Sequence, residues 1–431
     1  MRIWLVTIGE PLPLDGAGDR LLRAGLLAEQ LTQSGHHVVW WTSTFNHARK
    51  QQRADRDTIV DLNDHYRIRM LHGRAYRSHV SINRLLNHLD LAERFRRQVS
   101  TEPKPDVILC SWPTVELCLE ATRYGRDQHV PVVLDIRDLW PDLFLDLVPR
   151  IVRPAAKAVL RPLFRSAQVA ARNATAITGI TPEYIEFGLR HAGRQKESRD
   201  REFPMGYRQR EPSAAEQAQA AAFWKQRGLA RDSSEFIACW FGAMGRHSEL
   251  ATVIEAARLL QQRDAQSDSS GRPVRFVLCG AGPDLNRCRR LVRDCSNVLL
   301  PGWINAAQIW TLMRSASVGL TPYVSNDNYI RNVPNKPVEY LSAGLPIVSS
   351  LQGVLADLLA ERQCGITYSN CDAAGLAAAI AGLRDDADRL HQMSENAQRL
   401  YRERFIAEKV YADMQNYLEQ IAGYTGSARA A

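Results

Sequence analysis

The sequence predicts an α/β protein made of two Rossmann-like, doubly wound domains in tandem. Three observations carry that reading. Its 431 residues are too many for one ordinary core and fit two domains of roughly 200 residues each. Short apolar runs rich in β-branched residues alternate with amphipathic stretches along the whole chain, the pattern of parallel strands covered by helices. Midway, a polar stretch from about 190 to 222 (HAGRQKESRDREFPMGYRQREPS within it) interrupts the alternation with Gly, Pro and mixed charge.

In the first half IWLVTI (3–8), HVVWWTS (37–43), DVILCS (106–111), PVVLDI (131–136) and AITGI (176–180) read as strands, with helical segments such as 20–34 and 114–126 between them. The second half repeats the plan. Its strands are FIACWFG (236–242), RFVLCG (275–280), VLLPG (298–302), ASVGLTPY (316–323) and PIVSS (346–350), and its helices cover 248–263, 305–315, 336–343 and 373–382. QSDSSG (266–271) reads as an exposed hairpin or loop, 384–422 as one or two helices, and the closing GSARAA as disordered. The expected domains are 1–210 and 211–400, with a helix in 401–431 packing back on the first domain.

Composition bounds the class. With 45% hydrophobic and 24% charged residues the chain is globular, and no window holds the roughly 18 consecutive apolar residues of a membrane span. MRIWLVTIGE is too short for a signal peptide, lacks a small-residue cleavage site and reads as a buried first strand. The eight cysteines form no CxxC pair and read as core thiols of a reducing cytoplasm, so metal and disulfide roles are not expected. Residues 1–210 hold 32 Lys+Arg against 24 Asp+Glu, and 211–431 hold 23 of each, so the whole net charge of +8 lies in the first half. That half suits an anionic partner such as a membrane surface, a lipid diphosphate or nucleic acid, although a solubilising surface explains it equally.

Tandem α/β domains bind ligands at the carboxyl ends of their strands, and three loops there have phosphate-binding character. PLPLDGAGDR joins the first strand to the first helix, and Gly16 and Gly18 let backbone amides approach an anion; a plain connecting loop fits as well. In WFGAMGRHSEL, Gly242 and Gly245 end a strand and Arg246 turns into the next helix, where its fork of donors suits a diphosphate. NVPNKPVEYLSAGLPIV is the most specific. Pro334 and Pro337 bracket a helix start, Lys336 is a point charge near its N-terminus, and Glu339 lies one turn along the same face. Lysine for a diphosphate and a carboxylate for two ribose hydroxyls is what a nucleotide diphosphate requires. The alternative is a surface Lys–Glu pair.

VPNKPVEYLSAGLPIVSS resembles the donor-site signature of retaining glycosyltransferase family 4, which has the GT-B fold: two Rossmann-like domains facing across a cleft. FGAMGRHSELATVIEAARLL, FVLCGAGPDLNRCRRLV and LLPGWINAAQIWTLMRSASVGLTPY resemble that family's successive units. RAGLLAEQLTQSGHHVVWWTS and PVVLDIRDLWPD resemble the N-domain of a subgroup of bacterial cell-surface polysaccharide transferases, O-antigen fucosamine transferases among them. The resemblance implies an acceptor-side first domain and a donor-side second domain. Glu339 would hold the ribose, Arg246 and Lys336 the diphosphate, and Asn335 and Gly242 would line the donor site. The backbone at Trp303 and Ile304 would read the base, and Gly16 and Gly18 would approach from the other domain. It further implies a nucleotide-sugar donor with a UDP-sugar favoured, a glycan or polyprenyl-diphosphate acceptor, no metal requirement, and a cytoplasmic place, peripheral at the inner membrane face.

Two departures stand out. Where the family carries a second glutamate eight positions before Glu339, this chain has Arg331, which either tunes the choice of donor sugar or marks a shifted loop. Where relatives carry His-Asp after the strand equivalent to PVVLDI, it has Arg137-Asp138. Asp138 is a candidate acceptor base or a turn cap, and Arg137 is a candidate to steady it or to touch phosphate. His47 is a further acceptor-side candidate. Arg153, Lys157, Arg161 and Arg165 recur at four-residue spacing in an acid-free segment, 151–172, expected as one basic amphipathic helix on a membrane surface, kinked at Pro162. Rival readings are a nucleotide-sugar 2-epimerase, a non-catalytic nucleotide- or lipid-binding scaffold, and a nucleic-acid binder. The last lacks any recognised motif, so no nucleic acid is expected.

Overall fold

A computed structural model of the chain describes residues 1–16, 20–78, 81–146, 148–229, 234–266 and 271–423. Gly18, most of the 266–271 loop and the terminal GSARAA lie outside these residues. The chain forms two units, Met1–Gly206 with the chain from Ala407, and Tyr207–Ile406. No described helix is long and apolar enough to cross a membrane.

The first unit is an eight-stranded sheet in the order β10-β9-β8-β7-β1-β2-β6-β5. In chain order its elements are β1 (Arg2–Val6), α1 (Arg23–Gln33), β2 (His37–Ser43), β3 (Phe45–Asn46), β4 (Gln51–Gln52), β5 (Thr58–Asn63), β6 (Tyr66–Leu71) and α2 (Ile82–Gln98). Then come β7 (Val107–Trp112), α3 (Val115–Gln128), β8 (Val132–Ile136), α4 (Leu143–Asp146), α5 (Arg153–Val159), α6 (Arg161–Asn173), β9 (Ala176–Gly179), α7 (Pro182–Ala192) and β10 (Arg201–Glu202). Every pairing in this sheet is parallel except β5 on β6. The five expected strands are its centre, and their near-continuous burial follows from helices on both faces.

The second unit carries a six-stranded parallel sheet, β13-β12-β11-β14-β15-β16. Its elements are α8 (Ala214–Lys225), β11 (Phe236–Ala243), α9 (Leu250–Gln266), β12 (Val274–Ala281), α10 (Leu285–Leu291), β13 (Val298–Gly302), α11 (Ala306–Ser315), β14 (Val318–Thr321) and α12 (Asp327–Ile330). They continue with α13 (Asn335–Ser342), β15 (Ile347–Ser349), α14 (Val354–Glu361), β16 (Gly365–Thr367), α15 (Ala373–Asp385) and α16 (Ala387–Arg404).

Four expectations are corrected. The chain crosses between units at 206/207, not at 210/211. The end of the stretch expected as linker is helical: α8 opens on a Ser213–Glu216 capping box, and its buried Trp224 donates Nε1–H to the Gln308 carbonyl. The region from 401 is not one helix, because α16 ends at Arg404 and α17 (Ala407–Ile421) starts afresh in the first unit. There Val410, Tyr411, Met414, Tyr417 and Leu418 fill a core with Ile3, Leu5, Leu27 and Leu31. His36 Nε2 lies 2.9 Å from Glu419 Oε1. The basic helix over 151–172 is two, α5 and α6, divided at Leu160. Pro154 and Pro162 each sit in a first turn, where a missing N–H does no harm.

Candidate functional site

In the second unit the strand ends gather the expected donor residues. Helix α13 begins after Pro334, whose extended backbone (ψ 165°) sets the entry, and buries Val338, Tyr340 and Leu341. Gly319 on β14 leaves room for the Tyr340 ring; a Cβ there would lie 2.4 Å from it. The helix closes in a Schellman motif, with Leu345 N–H on the Tyr340 carbonyl at 3.0 Å, Gly344 N–H on that of Leu341 at 3.1 Å, and Gly344 at φ +72°. Packing and cap fix the first turn, which carries exposed Asn335, half-buried Lys336 and, one turn on, buried Glu339 (8% exposed).

Lys336 is held in an aromatic corner. Its Nζ is 5.4 Å from the Tyr323 ring centre and 5.7 Å from that of Trp240, within cation–π range. Its hydrogen bond to Tyr323 Oη is long, 3.5 Å, which leaves donors to spare. Burial pushes this ammonium below the usual lysine range, and Glu339 pulls it partly back. Gly242, at φ +155°, makes the corner possible, since a Cβ would come within 2.5 Å of Lys336 Cε. Beside it Gly280 pairs with Gly242, and a Cβ on Gly280 would sit 1.9 Å from the Gly242 carbonyl oxygen. Two strands thus end on bare backbone next to a cation.

Arg246 joins this cluster through a chain of contacts. It is exposed, with Nε 3.4 Å from His247 Nε2. Burial, then Arg246, lower the His247 pKa. The His247 ring is 5.9 Å from Tyr329, which stacks on Tyr323 at 4.9 Å. A Ser248–Tyr323 bridge ties the loop after β11 to the loop after β14. Arg331, just past the end of α12, pairs at 3.3 Å with Asp327 at its start. Trp303 (71% exposed) and buried Ile304 follow Gly302 (φ +84°) at the end of the edge strand β13. Trp240 and Tyr323 went unnoticed in the sequence, because nothing local marks a strand tryptophan or a loop tyrosine as a partner of residue 336.

In the first unit the strand ends carry a second polar group. Glu10 accepts from Ala24 N–H at 2.9 Å at the start of α1 and forms an ion pair with Arg137. Arg137 thus partners buried Glu10, a carboxylate that needs a cation once it is out of water. Asp138 Oδ1 accepts from Leu139 N–H at 3.1 Å, the turn role weighed above. Arg53 grips Asp15 with both forks; burial would raise the Asp15 carboxyl, but the arginine and Leu12 N–H hold it below its ordinary value. That ion pair anchors the loop bearing exposed Gly16 (φ +113°). His47 Nδ1 is 2.7 Å from Tyr76 Oη and 3.5 Å from Lys50 Nζ. Nearby, fully buried His88 has Nδ1 3.8 Å from Glu116 Oε2. Burial lowers His88 to about 3 and raises Glu116 to about 7, so the two meet as neutral groups between those two values. Deeper still, Arg23 and Asp135 form a two-pronged pair at 2.8 Å that ties α1 to β8.

Of the expected membrane-facing residues, Lys157, Arg161 and Arg165 line one pocket, whereas Arg153 pairs with Asp146 at 3.1 Å. Among the described residues, no group of three or more His, Cys, Asp or Glu could hold a metal ion.

Residues 224–400, all in the second unit, match the family described as Glycosyl transferases group 1, so that unit carries a group 1 glycosyltransferase domain. The Escherichia coli (strain K12) protein WcaL, named as a colanic acid biosynthesis glycosyltransferase, is 24% identical over 177 residues. The match covers 40% of this chain and 42% of that relative. Over nearly the whole chain the fold is similar to that of sucrose-phosphate synthase from Thermosynechococcus elongatus (TM-score 0.70, 17% identity, 98% of this chain and 100% of that one). It is also similar to Anabaena Alr3699/HepE in complex with UDP-glucose (TM-score 0.64, 15% identity, 97% and 100%). The fold is thus that of GT-B glycosyltransferases, two Rossmann-like α/β units in tandem.

Proposed function

We propose that the protein is a retaining glycosyltransferase that moves a sugar from a nucleotide-diphosphate donor, a UDP-sugar for preference, to a glycan or polyprenyl-diphosphate-linked acceptor in cell-surface polysaccharide synthesis. The observation that carries this reading is the Lys336 corner: a desolvated cation against the bare backbone of Gly242, with a buried carboxylate one turn along. Desolvation strengthens its attraction for a diphosphate. As the sugar leaves, negative charge grows on the departing diphosphate, and Lys336 with Arg246 stabilises it without further rearrangement. Glu339 accepts from the ribose hydroxyls, and the backbone at Trp303 and Ile304 meets the base. Arg331 stands near the donor sugar. On the acceptor side Asp138 takes the hydroxyl proton and His47 lines the approach. The cationic pair makes a metal unnecessary, so turnover persists in chelator. A UDP-glucose complex of one structural neighbour and a polysaccharide role in the name of one relative support the donor and the setting.

Lys336→Ala and Glu339→Ala are expected to lower turnover at least about a hundredfold with the fold retained, on the scale of losing one such stabiliser. Steady-state rates on a panel of nucleotide sugars, with melting curves for each variant, provide the test. Near-normal turnover in both variants overturns the donor-site assignment.

A further inference from the structure

A pocket in the first unit has no part in the donor chemistry. Its volume is about 410 Å³, and it lies where α5, α6, the end of α7 and the turn after β8 meet. Lys157, Arg161, Arg165 and Arg190 line it, and among the described residues its sole carboxylate is Asp142. Asp142 is already engaged, with Oδ2 2.9 Å from His191 Nε2. None of the four cations has an ion pair among the described residues. The Lys157 ammonium lies over the Phe164 ring at 5.7 Å, and the buried His191 Nδ1 has no hydrogen-bond partner. Like charges crowded around one hollow repel one another, so a bound anion relieves the site.

The surroundings say what carries that anion. Helix α5 and the turn before it expose Ile151 (89%), Val159 (79%) and Val152 (43%), three of only eight large hydrophobic residues so exposed among the described residues. Val159 is two residues from Lys157 on the same short helix. Apolar side chains in solvent beside a cationic hollow fit a bilayer interface, where the chains enter the acyl boundary and the cations meet headgroups.

We propose that this pocket binds a terminal phosphate or diphosphate group borne on a membrane lipid, with Ile151, Val152 and Val159 inserted beside it. Forked guanidiniums prefer a phosphomonoester, which offers more free oxygens and more charge, to the phosphodiester of ordinary phospholipids. The site goes beyond the donor-side reading and needs no turnover to be tested.

The test is co-sedimentation of the whole protein with phosphatidylcholine vesicles doped with phosphatidic acid, a phosphomonoester, or with phosphatidylglycerol, a diester, at matched surface charge. Inorganic diphosphate serves as the free-anion arm, read by calorimetry. Phosphatidic acid is expected to bind about tenfold more tightly than phosphatidylglycerol. Arg161→Ala and Arg165→Ala each cost roughly fivefold on phosphatidic acid and shrink that preference. Arg153→Ala, outside the pocket, weakens both vesicle types alike, and Ile151→Ser weakens vesicle binding without changing diphosphate binding. Equal binding to both lipids, with pocket variants behaving as Arg153→Ala does, overturns the pocket in favour of diffuse surface attraction. Free diphosphate bound as tightly as the vesicles, with Ile151→Ser inert on them, overturns the lipid. No binding in any arm overturns both.

Discussion

At the scale of single residues, three ionisable groups whose pKa the fold shifts, Lys336, Glu116 and His88, bear on pH behaviour. Lys336 is cationic only below a pKa that burial lowers, so donor affinity should fall at a lower pH than an ordinary lysine would allow. Titrating UDP affinity against pH checks this, and in Lys336→Arg the fall should move to higher pH because arginine stays charged. Glu116 bears on stability instead. Its carboxyl rises from 4.5 to about 7 in the fold, so the folded chain keeps a proton that the unfolded chain has lost. The stability this contributes is present in acid and fades as pH climbs through 7. His88 acts oppositely, since the unfolded chain takes a proton below about 6.5 that the folded chain refuses until about 3. Glu116→Gln should therefore melt above the wild type at pH 8 and level with it at pH 5, as paired thermal scans will show. Lys336 and Glu339 were legible in the sequence because prolines mark the helix start and three residues make one turn. The partnership of Arg137 with Glu10 was not, because it joins the ends of β8 and β1, far apart in the chain and brought within reach only by the sheet order β8-β7-β1.

At the scale of elements, the strand ends matter most. Gly280→Ala would drive a Cβ into the Gly242 carbonyl, parting β11 from β12 where the lysine corner begins. We expect a loss of about 1–3 kcal/mol in stability together with weaker UDP binding, seen in melting curves with and without ligand. A drop in stability with unchanged UDP affinity would separate the strand ends from the donor site. The ten strands that lie in apolar runs were legible, nine because burial leaves a run and little else, and half-buried β13 because its edge position still keeps apolar residues. The hairpin of β5 and β6 was not: TIVDLN alternates between half-buried and exposed positions as an edge strand does, so it makes no run. Helix α8 stayed hidden for a similar reason, burying only Ala220 and Trp224. The four-residue recurrence of cations does not lie on one helix: Lys157, Arg161 and Arg165 line one pocket, Arg153 pairs with Asp146, and a new helix begins at Arg161, with Pro162 in its first turn, instead of a kink.

At the scale of the whole molecule, the first unit is built from two separate stretches of chain. Tandem domains were legible from length and alternation; the return of the last helix to the first unit follows from which apolar face finds which sheet. Met414 and Leu418 are fully buried in that return. Met414→Ala should cost about 2–5 kcal/mol, and a chain stopped after Ile406 should leave Ile3, Leu5 and Leu27 without their cover and aggregate, which light scattering will report. The consequence reaches back to synthesis. On the ribosome, residues 1–206 emerge first but cannot close their core until some two hundred further residues have been translated and α17 has cleared the exit tunnel. The second unit, continuous in the chain, is able to fold while the first still waits, so the half made earliest is the half finished last.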